Sequence, residues 1–281
     1  MKRNVRNLGE AEPPGIALAL GGGFARGFAH LGVLAVLEEH DIPIASITGT
    51  SIGSVLGAAY AGGMSIGDML SLGRSTSFRT FGRWCVSRLG LATNERLGEM
   101  IRRCFPAQRF EQLDLPLAVV ATDLRTGEPV VFRHGDLAEA IRASCAFPGL
   151  FEPVEFEGRC LSDGGLVAPV PTEAAMAMRG ACVVGVSLEY YQWDGSAPTN
   201  IFQLVTRAVS AAQKHQEAIW KTHAAVLIEP QLSTFAWDDF GRAEEAMAAG
   251  VTATEKAMPR LRELLDQRMT STIRLQLSDR K

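Results

Sequence analysis

The residue best suited to chemistry is a serine that stands between glycines. Ser51 is the centre of the pentapeptide Gly49-Thr50-Ser51-Ile52-Gly53, which follows an apolar segment and precedes a charge-free one. Glycines on both sides permit a sharp turn from a strand into a helix, and the N-terminal N–H groups of that helix favour negative charge beside the serine. The pattern predicts a nucleophile. The simpler alternative is a glycine-rich turn in which Ser51 only caps the helix.

A second glycine-rich motif, the heptapeptide 21–27 (GGGFARG), follows the first apolar segment of the chain. Such a backbone before a helix directs several N–H groups to one point, where they bind a phosphate or stabilise an oxyanion. A dinucleotide site would need an acidic residue at the end of the second strand, and a P-loop would need Gly-Lys-Ser/Thr. The sequence has neither, which favours an oxyanion hole beside Ser51.

A serine nucleophile also needs a base. The sequence offers five histidines: His30, His40, His134, His215 and His223. His215 and His223 lie inside a predicted helix and not in the C-terminal loop where an α/β-hydrolase carries its catalytic histidine. All five are interpreted as structural, which leaves a carboxylate to act on Ser51 directly. The turn Asp163-Gly164-Gly165 is a candidate, although such a turn usually has no catalytic role.

The elements that must position these motifs alternate between apolar strands and helices. Strands are predicted over 16–20, 44–48, 115–122, 129–133, 182–188 and 225–228, with a hairpin over 155–161 that turns at Glu157-Gly158. Helices are predicted over 27–40, 52–64, 137–143, 172–179, 201–223 and 238–268, the last as one or two helices. Uninterrupted apolar strands that alternate with helices are typical of a parallel, doubly wound α/β sheet.

The composition excludes several classes of protein. The 281 residues carry 28 basic and 31 acidic side chains, for a net charge of −3, and 47% are hydrophobic. Such a chain buries a sizeable core, and no nucleic-acid partner is expected. Five scattered cysteines without CxxC spacing are interpreted as reduced, mostly buried thiols of a cytosolic protein. Neither a signal peptide nor a membrane span is predicted. A flexible arm is expected over residues 1–14 and a single domain over 15–281.

Residues 64–112 are predicted to form a mostly helical insertion, with a possible role as a lid. Between Met69 and Asn94 there is no acidic residue, and basic and aromatic side chains are interleaved: Arg74, Phe78, Arg79, Phe81, Arg83, Trp84 and Arg88. This pattern suits contact with an anionic membrane through 74–88, or a lid over a lipid pocket. The alternative is an ordinary helical subdomain with a solvated basic face. A second aromatic group, Tyr190, Tyr191 and Trp193, either rims the pocket or packs against the domain.

The three glycine motifs, in this order, resemble those of a bacterial patatin-like phospholipase, from the small single-domain branch of the patatin / neuropathy-target-esterase group. Two connecting stretches are also similar to that family, 121–127 (ATDLRTG) and 140–151 (AIRASCAFPGLF). The resemblance covers about residues 15–190. It implies a three-layer α/β/α fold with a mostly parallel central sheet.

The same resemblance implies the role of each motif residue. Ser51 is the nucleophile and Asp163 its partner, and the backbone N–H groups around Gly22, Gly23 and Phe24 form the oxyanion hole with help from Arg26. The motif glycines are Gly21, Gly27, Gly49, Gly53, Gly164 and Gly165. Phe24 departs from the strict family pattern, which has a third glycine there. A phenylalanine adopts positive φ with difficulty, and its ring would lie near the acyl group.

The resulting expectation is a serine lipid acyl hydrolase of the phospholipase A or carboxylesterase type, which works through an acyl-enzyme. Its substrate would be a lipid or another ester, and no metal or other cofactor is expected. The expected location is cytoplasmic, with possible peripheral contact at the inner membrane face. Two other functions stay open: an acyltransferase on the same dyad, and a non-catalytic lipid-binding regulator.

Overall fold

The computed structural model describes residues 15–76, 78–85, 88–188 and 196–278. The predicted N-terminal arm and the aromatic group Tyr190, Tyr191 and Trp193 lie outside these ranges.

Within the described residues, eight strands form one central sheet and two more form a small separate sheet. The strands are β1 (Ile16–Leu20), β2 (Ile44–Thr50), β3 (Arg83–Trp84), β4 (Ala92–Thr93), β5 (Leu117–Asp123), β6 (Pro129–Phe132), β7 (Val154–Phe156), β8 (Arg159–Asp163), β9 (Val183–Val186) and β10 (Val226–Ile228). The order in the central sheet is β10-β9-β1-β2-β5-β8-β7, and β6 also pairs with β5. The first five strands of that order are parallel, whereas β6, β7 and β8 pair antiparallel. The predicted mostly parallel sheet is confirmed.

Helices cover both faces of this sheet. They are α1 (Phe28–Glu39), α2 (Ile52–Ala61), α3 (Ile66–Arg74), α4 (Phe78–Phe81), α5 (Glu95–Cys104), α6 (Leu137–Ser144), α7 (Thr172–Met176), α8 (Ile201–Thr222) and α9 (Ala243–Ser278). Strand β1 contacts both helical layers, because successive side chains of a strand point to opposite faces of the sheet. Its larger residues Ile16, Leu18 and Leu20 join the core that contains α1 and α2, and its alanines pack with α7 and Trp220 of α8.

Several elements differ from their predicted form. The described part of residues 64–112 contains three α-helices and a short 3-10 helix over Phe110–Gln112. It also contains the two-stranded sheet β3–β4, whose two-residue strands are too short to show a period in sequence. The C-terminal segment is a single helix that continues to Ser278, with Pro259 inside it. All five cysteines are free as predicted, but each is only partly buried, whereas mostly buried thiols are expected from the sequence.

The register of the sheet places two of the predicted motifs, those of Ser51 and Asp163, at the same level on either side of β5. In the parallel pair β2–β5, Thr50 lies opposite Val120, and in the antiparallel pair β5–β8, Ala121 lies opposite Asp163. Ser51 comes directly after Thr50, so it reaches the level of Asp163 across the width of β5.

Among the described residues, no helix combines the length and the apolar character that crossing a bilayer requires.

Candidate active site

Ser51 occupies a strained turn between β2 and α2. Its backbone has φ 52° and ψ −125°, a region that costs a residue other than glycine about 1–3 kcal/mol. The flanking glycines make the turn possible. A Cβ on Gly49 would come within 2.5 Å of the Cα of Ser54, and one on Gly53 within 2.2 Å of the carbonyl oxygen of Leu20. The elbow therefore requires glycine at both positions.

The strained backbone is held by a neighbour that the sequence did not single out. Ser144, at the end of α6, is fully buried, and its Oγ accepts a hydrogen bond from the Ser51 N–H at 2.8 Å. The same hydroxyl donates to the carbonyl oxygen of Val120 at 2.6 Å. Ser144 thus connects the elbow to the middle of β5.

Asp163 faces the Ser51 hydroxyl. The Ser51 Oγ donates to the Asp163 Oδ2 at 2.8 Å, and the second carboxylate oxygen accepts from the N–H of Gly165 at 2.8 Å. Asp163 is only 3% exposed. This burial raises the pKa of its carboxyl from 3.8 to about 6, against the two hydrogen bonds, which lower it. The carboxylate is therefore a stronger base than an exposed aspartate.

The turn after Asp163 fits tightly between the sheet and α8. A Cβ on Gly164 would meet the carbonyl oxygen of Val120 at 2.1 Å, so only glycine fits there. The carbonyl oxygen of Gly165 accepts a hydrogen bond from the Gln213 Nε2 at 2.9 Å. Gln213 thereby holds the residue whose N–H donates to the Asp163 carboxylate. Sequence reasoning missed this residue, because a lone glutamine in a long helix carries no distinguishing pattern.

Only some of the N–H groups that were predicted to form the oxyanion hole are available as donors. The N–H of Gly22 donates to the carbonyl oxygen of Pro169 at 3.1 Å and is occupied. For the N–H groups of Gly23 and Phe24, the described residues show no acceptor. Phe24 has φ 51°, contrary to the expectation that its side chain opposes positive φ. Its ring packs edge-on against Phe147 and Trp237, which stabilises that conformation.

Two polar side chains fix the shape of this loop. The fully buried His30 donates from its Nε2 to the carbonyl oxygen of Gly21 at 2.9 Å, and desolvation lowers its pKa to about 4, so it is neutral at physiological pH. Arg26 donates from its Nε to the carbonyl oxygen of Gly23 at 3.3 Å. Arg26 also lines the cavity that contains Ser51 and Asp163.

The remaining motif glycines allow close packing around the loop. A Cβ on Gly21 would lie 2.9 Å from the carbonyl oxygen of Val186, and one on Gly27 would lie 2.3 Å from the Ile52 side chain. The starts of α1 and α2 can therefore lie against each other.

Ser51 stands where cavities of different character meet. One, here called the polar cavity, has about 650 Å³ of open space and is lined by Ser51, Asp163, Arg26 and polar residues of α8. On the other side, two overlapping spaces of about 550 and 510 Å³ form what we call the apolar cavity. Both spaces are lined by Phe24, Ile52, Val55, Phe81 and Phe240, and the first also by Ser51 and Cys145. None of the five histidines, all of which the structure describes, lines either cavity.

The predicted insertion contributes walls to the apolar cavity. Its residues there include Met69, Leu72, Phe81 and Met100. Two of its arginines are engaged in ion pairs, Arg74 with Glu244 and Arg83 with Glu95, the latter at 2.9 Å. The basic stretch is therefore partly neutralised. The side chain of Arg79 lies outside the described part of the structure.

Comparison with known proteins identifies the family. The profile of the family described as "patatin-like phospholipase" matches residues 18–176, more than half of the chain. The chain belongs to the patatin-like phospholipase family. It is 38% identical over 178 residues to the uncharacterized NTE family protein Rv1063c of Mycobacterium tuberculosis, which covers 62% of this chain and 49% of that protein. It is 33% identical over 187 residues to mouse patatin-like phospholipase domain-containing protein 6, which covers 62% of this chain and 13% of that protein.

A second mycobacterial relative and one solved structure extend the comparison along the chain. The uncharacterized NTE family protein Rv2565 is 28% identical over 269 residues, or 86% of this chain and 46% of that protein. This patatin-like chain thus spans about half the length of its mycobacterial relatives. The crystal structure of VipD from Legionella pneumophila covers 95% of this chain and 71% of that chain, with a TM-score of 0.53 and 14% identity. At this identity the likeness concerns the fold alone.

Proposed function

We propose that the protein is a serine lipid acyl hydrolase in which Ser51 and Asp163 form a catalytic dyad. The observation that carries the proposal is the 2.8 Å hydrogen bond from the Ser51 Oγ to a buried carboxylate, at the junction of a polar and an apolar cavity. Family membership supports a lipid ester as the substrate.

In the first step, Asp163 Oδ2 takes the hydroxyl proton of Ser51 while Oγ attacks the carbonyl carbon of the ester. The tetrahedral intermediate collapses to an acyl-enzyme, and the departing alcohol takes the proton from Asp163. A water molecule then gives a proton to Asp163 and attacks the acyl group. The free acid leaves, and the proton returns to Ser51. One carboxylate thus serves as base and acid in both halves of the reaction.

The negative charge on the carbonyl oxygen must be stabilised in both intermediates. The N–H groups of Gly23 and Phe24 are the donors proposed for this role, since Gly22 donates elsewhere. Arg26 supports them by holding the carbonyl of Gly23 and adds positive charge beside the site. Loss of one such donor typically costs about 3–4 kcal/mol of transition-state stabilisation.

The two cavities suggest how an ester is oriented. We assign the acyl chain to the apolar cavity, whose lining is almost entirely carbon, and the alcohol portion to the polar cavity beside Arg26 and Gln213. The ester carbonyl would then lie at Ser51. Phe24 lines all the spaces and separates the two binding regions.

The decisive experiment compares the wild type with Ser51→Ala on a lipid extract, with released products identified by mass spectrometry. The proposal expects free fatty acid from the wild type alone and labelling of Ser51 by a fluorophosphonate. Product that appears only when an acceptor alcohol is added would instead indicate an acyltransferase. Absence of both turnover and labelling would favour the non-catalytic regulator.

A further inference from the structure

Exposed apolar side chains gather on two elements beside the candidate site. Eight large hydrophobic residues are exposed in the described part of the chain, and five of them lie in two groups. The first group is Trp84, Leu89 and Leu91 in and around the β3–β4 hairpin. The second is Ile201 and Leu204 in the first turn of α8. Their exposed fractions run from 44% to 69%, and exposed apolar side chains that are grouped in this way are typical of interaction sites. We call the five residues the apolar rim.

A single segment, 147–152, connects both groups to the catalytic cavities. The N–H groups of Leu91 and Ala92 donate to the carbonyl oxygen of Leu150, and the N–H of Glu152 donates to the carbonyl of Ala92. On the other side, Gly149 faces Val205 of α8, from which an added Cβ would be 3.5 Å away.

The inner side of the same segment reaches the site itself. Phe147 lines the polar cavity and Phe151 the apolar cavity, and Ser51 lines both. The rim groups therefore flank the segment that forms part of the wall at Ser51.

The charge around the rim is mostly positive along the sequence, with Glu152 of the connecting segment and Glu95 after the hairpin as acidic exceptions. Residues 69–94 and 196–216 contain no aspartate or glutamate, although the whole chain has a net charge of −3. Their cationic residues are Arg74, Arg79, Arg83, Arg88, Arg207 and Lys214. Arg74 and Arg83 form ion pairs with Glu244 and Glu95, and Arg207 donates to Ser196. The Arg79 side chain lies outside the described part of the structure, and Arg88 is exposed. The arrangement of exposed apolar side chains among cations matches a surface of acyl chains beneath anionic headgroups.

We infer that the apolar rim docks the protein on an anionic lipid layer, with the segment 147–152 and the site behind it facing that layer. The inference rests on the proposed function. An ester with a long apolar chain can pass from the lipid into the site at little cost in free energy only if the chain is not exposed to water on the way. The inference extends the expected contact through 74–88 to α8 and assigns the main role to apolar residues. Indole rings prefer the headgroup level, which suits Trp84 at 64% exposure.

The test measures flotation of the full chain with vesicles of equal parts phosphatidylcholine and phosphatidylglycerol, in a Ser51→Ala background that leaves the lipid intact. One variant combines Trp84→Ser, Leu89→Ser and Leu91→Ser, and a second combines Ile201→Ser with Leu204→Ser. The control combines Met176→Ser with Ile219→Ser, which removes exposed apolar residues elsewhere. Ile219 lies about 22 Å along α8 from Leu204, at 1.5 Å per residue.

Each rim variant is expected to lose vesicle partition about fivefold or more, with the control unchanged, and binding of the parent is expected to weaken in high salt. Equal partition by all variants overturns the inference, as does a loss confined to the control. Sedimentation velocity provides a further check: a parent dimer that rim substitutions convert to monomers would assign the rim to a second copy of the chain instead. Hydrolysis of p-nitrophenyl butyrate by the wild type without vesicles tests the proposed function separately, since its failure leaves the flotation result intact.

Discussion

The hydroxyl of Ser144 accepts the backbone N–H of Ser51 at 2.8 Å, across 93 residues of sequence. This contact connects the end of α6 to the turn that carries Ser51. Because Ser51 is only 8% exposed and its backbone is strained, its N–H needs a partner from the protein. Ser144 lines neither cavity, so we expect it to position Ser51 and not to contact substrate.

Ser144→Ala is expected to reduce both stability and turnover. It leaves the buried N–H of Ser51 unpaired, which costs about 1–3 kcal/mol of unfolding free energy. Relaxation of the elbow would also lower kcat on p-nitrophenyl butyrate more than it changes KM. Urea denaturation and steady-state kinetics measure the two effects. Thr254→Val is the matched control, because it removes a buried hydroxyl within α9 and should leave kcat unchanged. Wild-type kinetics in Ser144→Ala would contradict the positioning role.

The dyad predicts strongly non-additive effects at Ser51 and Asp163. Ser51→Ala and Asp163→Asn should each abolish most ester hydrolysis, and the double variant should be little worse than either, because the two residues act as one unit. His215→Ala and His223→Ala should stay within a few-fold of the wild type, since neither residue lines the cavities at Ser51. Severe loss in either histidine variant would indicate a triad and refute the assignment.

The raised pKa of Asp163 predicts an acidic limb in the activity profile. Only the ionised carboxylate can accept the Ser51 proton, and the pKa in the folded protein is about 6. The value of kcat/KM should therefore fall tenfold per pH unit below about pH 6 and be level above it. The rate of fluorophosphonate labelling should follow the same curve. A profile that stays level down to pH 4.5 would show that Asp163 is not the base.

The same group should cost stability at neutral pH. The folded state holds the Asp163 proton more tightly than the unfolded state, whose pKa is near 3.8. The stabilisation from protonation is complete below that value and is lost as the pH rises through about 6, a difference of about 3 kcal/mol. Asp163→Asn cannot ionise and does not lose this stabilisation. Its unfolding free energy should therefore rise relative to that of the wild type between pH 4 and pH 7. An unchanged difference across that range would contradict the pKa.

The sequence predicted the parts of the site that depend on local backbone geometry. Gly49 and Gly53 flank Ser51 because a Cβ at either position would clash with backbone atoms. Such a steric requirement is visible in the sequence as a short motif. The predicted turn at Glu157-Gly158 is confirmed, and its cause is also local, because a two-residue hairpin turn requires positive φ, here 50° and 73°. The order of apolar strands likewise predicted a parallel sheet, because both faces of each strand are buried.

Residues whose contribution depends on long-range contacts could not be found in this way. Gln213 and Ser144 are ordinary polar residues in helices until the fold places them against Gly165 and Ser51. The Gly22 N–H already donates a hydrogen bond to the carbonyl of Pro169, which lies 147 residues later in the chain. Local sequence shows which residues are able to donate, and tertiary structure decides which of them are available.

The assignment of the acyl chain to the apolar cavity can be tested by partly filling its deep end. Ala59 is 2% exposed and lines that end together with Met64 and Met69. Ala59→Leu should lower kcat/KM for p-nitrophenyl palmitate at least tenfold while p-nitrophenyl butyrate, whose short chain stays near Ser51, changes less than twofold. Overpacking of this kind costs about 1–3 kcal/mol of stability, so a thermal melt must accompany the kinetics. Ala248→Leu, on the exposed side of α9, is the matched control and should leave the ratio of the two rates at the wild-type value. If Ala59→Leu lowers both rates equally, the long chain lies elsewhere, and the polar cavity becomes the next region to block.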